Sequence, residues 1–210
     1  GKSGTALIED YADALRTLTM IGGDTALEHV AQFLADPDRR LQRGALVGLL
    51  RSSFPASIQK LVNLIESPLV EDRILAAQVL SEAKRRDMDI PLPTLLRDPD
   101  PQVRRAALKA VRSIKPLGAW PDVIYALNDP HTRSAARLAL ISGGQFALPA
   151  IQAAWSNPNT SRAELIDLAY VLGHIGGTEV VDWLQAHANY DDAAVRTAVL
   201  NALAMRGYRT

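Results

Sequence analysis

No cysteine occurs among the 210 residues, which removes disulfide frameworks and thiolate metal sites together and fits a cytosolic setting. No apolar run approaches the roughly 20 residues that span a bilayer, and no signal peptide is visible. The segment is therefore expected to be soluble and cytoplasmic, meeting a membrane only through flanking domains. Period-two alternation of branched and aromatic residues is absent, so strands are excluded and the expected class is all-α. An excess of one charge is missing too: 23 basic side chains balance 23 acidic ones, whereas nucleic-acid binders are usually basic overall.

Regularity is what the chain does have. Pro37, Pro68, Pro99 and Pro130 stand 31 residues apart, the mark of one supersecondary unit copied in tandem. Stacked, the segments AQFLADPDRRLQRGALVGL, VNLIESPLVEDRILAAQVL, PTLLRDPDPQVRRAALKAV and IYALNDPHTRSAARLAL each read as apolar helix, polar turn, apolar helix. Asp36, Ser67, Asp98 and Asp129 precede the prolines as N-cap residues would, with proline in the first turn of each second helix. Two looser units follow, one around Pro158 and one in which Asp191 replaces the proline. The expected fold is a right-handed α-solenoid of about six helical hairpins with one extra N-terminal helix near Leu7 to Met20. Apolar residues at helical spacing support it, for instance Val103, Ala107, Ala110, Val111 and Ile114. A solenoid has no single core to divide, so residues 1–210 are expected to form one repeat domain. The chain opens on GKSG without methionine and its last helix is apolar, so excision from a larger polypeptide is expected. That last helix either packs against a further segment or simply completes its own pair.

LLRDPDPQVRRAALKAV resembles the HEAT repeat, and the resemblance extends over nearly the whole chain. In that family an aspartate of the inter-helix turn and an arginine six residues later build a ladder between repeats. Asp98 with Arg104 matches it, Ser67 with Arg73 keeps only the arginine, and Ala135 stands where the fourth arginine belongs, implying an interrupted ladder there. EDRILAAQVL, AWPDVIYAL, YVLGHIGG and AMRGYR are in turn similar to the HEAT region of bacterial proteins that resemble ATP/ADP-type nucleotide transporters. That likeness implies a soluble middle segment beside a membrane carrier.

Charge is unevenly spread. Residues 39–115 hold 15 basic and 8 acidic side chains, whereas residues 1–38 hold 2 and 7 and residues 116–195 hold 3 and 8. In HEAT-like solenoids second helices line the concave face, so Arg40, Arg43, Arg85, Arg105, Lys109 and Arg112 are the candidate binding residues, suited to phosphate or an acidic partner. The competing expectation is that these are ladder residues and a solvated face.

Catalytic patterns are thin. Gly1-Lys2-Ser3 lacks the upstream glycine and strand of a phosphate loop, the four histidines occur singly, and the His-Glu dyads of HEAT-like di-iron hydroxylases are missing. Trp120 with Asp122, Trp155, and Asp182 with Trp183 invite comparison with HEAT-like enzymes that excise alkylated DNA bases, though these aromatics fall at core positions of first helices. The expected function is a non-catalytic scaffold or protein-interaction module without cofactor or metal. Its partner would be a protein or neighbouring domains of the same chain, with no nucleic acid and no direct membrane insertion. A DNA-repair glycosylase is the alternative.

Overall fold

The structure is a computed structural model that describes residues 2–85 and 92–207. Among the described residues every regular element is helical: α1 (Lys2–Ile21), α2 (Asp24–Ala31), α3 (Arg39–Arg51), α4 (Pro55–Ile65), α5 (Val70–Ala83), α6 (Leu92–Leu96), α7 (Pro101–Ile114), α8 (Trp120–Tyr125), α9 (Arg133–Gly143), α10 (Leu148–Trp155), α11 (Arg162–Ile175), α12 (Thr178–Ala186) and α13 (Ala193–Ala204). These form an α-solenoid of helical hairpins, α2/α3 to α12/α13, preceded by α1, and the chain divides into two compact units, Gly1–Ile114 and Lys115–Thr210. No helix among the described residues is long and apolar enough to cross a membrane.

In the first unit the second helices α3, α5 and α7 stack in order, and α1 lies on the free side of α3. The leading helix thus takes the place that the second helix of a preceding hairpin would occupy. Two glycines allow this. A Cβ on Gly44 would stand 2.7 Å from the Ala12 carbonyl oxygen, and one on Gly48 would stand 2.6 Å from Thr19 Oγ1. Glycine inside a helix costs about 1 kcal/mol relative to alanine, and here close backbone approach offsets it. Beneath, Leu15, Val30, Ala45 and Leu49 form a buried cluster joined by Leu18, Leu27 and Phe54.

The second unit repeats the plan with α9, α11 and α13 as stacked second helices and α8, α10 and α12 as first helices. Small residues again set the spacing: a Cβ on Gly173 would meet Ala202 Cα at 3.0 Å, and one on Gly143 would meet the Trp120 ring at 2.4 Å. Trp120, 2 % exposed, is wedged into the space that Gly143 leaves.

The periodic prolines do not start the second helices. The residue before each one closes a side-chain turn across it: Asp36 Oδ1 accepts the Asp38 N–H at 2.8 Å, Ser67 Oγ that of Leu69 at 3.2 Å, Asp98 Oδ1 that of Asp100 at 2.9 Å, Asp129 Oδ1 that of His131 at 2.8 Å, and Asn157 Oδ1 that of Asn159 at 3.0 Å. The side-chain oxygen mimics a backbone turn that proline, with φ already near −65°, is ready to enter. Capping passes to a later residue. Asp38 rather than Asp36 accepts from the first turn of α3, through Arg40 N–H at 2.9 Å. The expected N-caps are thus corrected by two or three residues, because a side chain committed to its own turn does not also cap the helix.

Candidate interaction surface

Arginines at the starts of second helices hold these turns closed. Arg73 donates to the Ser67 carbonyl at 2.9 Å, Arg104 to that of Asp98 at 2.5 Å, Arg133 to that of Leu127 at 2.9 Å and Arg196 to that of Tyr190 at 2.6 Å, each reaching back six residues. The same arginines, or neighbours one turn away, also reach an acid of the following hairpin. Arg39 pairs with Asp72, and Arg73 grips Asp98 through Nε and Nη2 at 2.6 and 3.1 Å. In the second unit Arg133 and Arg137 converge on Asp167, and Arg162 pairs with Asp192 at 3.2 Å.

This ladder differs from the expected one at two steps. Where Ser67 replaces the turn aspartate, Asp72 supplies the carboxylate, and the Ser67 hydroxyl donates to its Oδ2 at 2.7 Å. Where Ala135 replaces the arginine, the ladder is not interrupted: Arg133 and Arg137, on either side of it, fill the step, and Arg137 also lies 4.9 Å from the Tyr170 ring centroid. A guanidinium on a long stem reaches the same acid from an adjacent turn.

Protonation follows the hydrogen bonds. Arg40 is the chief reason that the Asp38 carboxyl is held down to about 2, its guanidinium bonding both oxygens at 2.7 and 3.0 Å while its backbone N–H bonds Oδ1. Burial pushes Asp72 up, but bonds from Ser67 and Arg39 outweigh it and its pKa is lowered. Asp192 is lowered first by the Val195 N–H, then by that of Ala194 and by Arg162, against some desolvation. Arg73 is held more firmly charged by Asp98.

The six candidate binding cations fall into two groups. Arg40 is folded onto Asp38, Arg43 Nε lies 3.4 Å from Glu82 Oε1, and Arg85 donates to the Leu50 carbonyl at 2.8 Å and to Ser53, closing the C-terminal end of α3. Glu82 also receives Arg16 Nη2 at 2.8 Å, so one carboxylate of α5 ties α1 and α3 to itself. By contrast Arg105, Lys109 and Arg112 are exposed at successive turns of α7. Among the described residues Arg105 and Lys109 carry no side-chain hydrogen bond or ion pair. Arg86, counted with the basic stretch in the sequence, lies outside the described residues.

Other chemical candidates resolve into packing. Trp120 and Trp155 are buried at 2 % and 6 % exposure, and Asp122 is buried beside the former. Trp183 stacks on His187 at 3.9 Å, whose Nδ1 bonds the Trp183 carbonyl at 2.7 Å. Among the described residues no group of three or more histidine, aspartate and glutamate side chains stands close enough to hold a metal ion. Glu82 and Asp167 escaped the sequence reading. For Asp167 a signal existed, one acid inside the apolar run LIDLAYVL.

Comparison with known proteins places residues 91–116 in the HEAT repeat. No curated protein matches the chain. Among solved structures, an engineered protein is similar at 18 % identity over 85 % of this chain and 95 % of its own, with a TM-score of 0.45. Human deoxyhypusine hydroxylase in complex with glycerol is similar at 18 % identity over all of both chains, with a TM-score of 0.37.

Proposed function

From a chain that is a HEAT-repeat α-solenoid, we propose a non-catalytic scaffold that docks an acidic segment of a protein partner on the outward face of α7. The carrying observation is the contrast within the basic stretch: Arg40, Arg43 and Arg85 are committed to groups of their own unit, while Arg105 and Lys109 face outward with none. A cation already paired gives little to a partner, because binding must first break the pair, whereas an exposed one adds to the encounter rate and to the rim of an interface. Rows of charge at helical spacing on a folded hairpin also meet an extended acidic chain with no backbone to order on the solenoid side, only the side chains that pair. The test is charge reversal at Arg105 and Lys109 with a pull-down from the native host. Loss of captured partner with helicity retained supports the reading, and unchanged capture rejects it.

Its narrower form is a soluble regulatory or linker segment beside a membrane carrier. That rests on the resemblance of EDRILAAQVL, AWPDVIYAL, YVLGHIGG and AMRGYR alone. The full-length reading frame tests it: flanking stretches of about 20 apolar residues support it, and a free-standing gene removes it.

A further inference from the structure

The opposite character appears on the first-helix side of the second unit. Between α8 and α10 lies a hollow of about 490 Å³ floored by Pro121, Ile124, Tyr125, Ala150, Ala153 and Ala154. A second hollow of about 470 Å³ shares Pro121 and Ala150 with it and adds Leu117 and Phe146. The two make one apolar trough, flanked by side chains that a folded chain normally covers: Leu117 is 86 % exposed, Tyr125 70 % and Phe146 45 %. Contiguous exposure of this kind, unlike scattered single residues, marks a binding surface.

Charge says what would bind. Neither α8, α10 nor α12 carries a lysine or arginine, and their charged residues are Asp122, Glu179 and Asp182. The one charged residue lining the trough is Glu164, which accepts from Asn128 Nδ2 at 3.2 Å and keeps its other oxygen available. The arginines of this stretch, Arg133, Arg137 and Arg162, are drawn to Asp167 and Asp192. The fixed charge lining the trough is thus acidic, which disfavours nucleic acid and acidic peptides there. A cation beside Glu164 would also lie near the open face of Tyr125, where cation–π attraction adds to the ion pair. Asn128, Asn157 and Asn159 line the same end with amide groups that suit a peptide backbone.

We propose that the α8/α10 trough docks a segment of a partner protein in which apolar residues flank a lysine or arginine. This surface is separate from the α7 cation row and opposite in sign, so the two readings stand or fall independently.

A library of random 12-residue peptides displayed on phage and panned on the whole chain provides the probe. The selected peptide, labelled with fluorescein, is then titrated by anisotropy. Expected are sequences combining Lys or Arg with Leu, Ile or Phe, and binding that weakens about tenfold in Tyr125→Ala and in Glu164→Gln. Leu117→Asp, a change at a largely exposed position, should weaken it too without touching the fold, and the charge-reversed Arg105 and Lys109 variant should bind as the parent does. Acidic or unrelated selected sequences, no selected binder at all, or affinity unmoved by these three substitutions would overturn the proposal. So would loss of the peptide on charge reversal in α7.

Discussion

Arg73 and Asp98 belong to successive hairpins, and the guanidinium of one bonds both carboxylate oxygens of the other, at 2.6 and 3.1 Å. Both are largely buried, with side chains 13 % and 5 % exposed. Asp98 also closes its own turn through the Asp100 N–H. One carboxylate therefore serves the local turn and the stacking of repeats.

Removing that carboxylate leaves the buried Arg73 charge without its counter-ion, with only the Ser67 carbonyl still bonded to it. Asp98→Ala is expected to cost about 3–5 kcal/mol, the usual loss on breaking a buried ion pair. Urea unfolding followed by circular dichroism measures it, and a loss under about 1 kcal/mol would show that the pair is solvated in solution.

At the Arg133, Arg137 and Asp167 step the acid has two partners, so each covers for the other. Arg133→Ala and Arg137→Ala should each cost about 1 kcal/mol, and the double variant clearly more than their sum, because only then is a buried carboxylate stranded. Additive effects in a double-mutant cycle would argue that Asp167 depends on one arginine alone.

Gly143 has helical dihedrals, φ −64° and ψ −37°, so alanine there would gain about 1 kcal/mol in propensity. Its Cβ, however, would sit 2.4 and 2.7 Å from two atoms of the buried Trp120 ring. Overpacking costs roughly 1–3 kcal/mol, and a wedged indole places this case at the upper end. Gly143→Ala should lower the thermal midpoint, and Trp120→Leu in the same chain should return part of the loss.

Asp38, Asp72 and Asp192 all have lowered folded-state pKa values, Asp38 to about 2 from 3.8. Each binds a proton less readily folded than unfolded, so its stabilisation is complete above about pH 4 and is lost as pH falls toward the folded value. Thermal midpoints should be level from about pH 7 to 5 and drop between about pH 4 and 2. Asp192→Asn should make that drop shallower; an unchanged profile would remove Asp192 from the account.

Much of this arrangement was legible from residue order. The 31-residue proline spacing located the turns, and six hairpins with a leading helix follow from it. What escaped was pairing at a distance. Glu82 meets Arg16 from 66 residues away, and no local pattern joins them. Gly44 and Gly48, one helical turn apart in α3, were a readable sign of close approach, but not of the helix that approaches. The shift from Asp36 to Asp38 as cap arose because Asp-Pro satisfies two motifs, helix start and side-chain turn, and the second won. Of the candidate cations, position on the second helices was readable for all but Arg85, which lies past the end of α5; which ones were already occupied was not.

The arginine clasps that reach back six residues bear on how the chain assembles. Each closes a loop so short that its ends meet early and at little entropic cost. Contacts between neighbouring hairpins add separations of only about one repeat, a low contact order that favours fast folding from several starting points. The same locality lets one hairpin open while its distant neighbours stay folded, so amide hydrogens should exchange with solvent hairpin by hairpin rather than all at once.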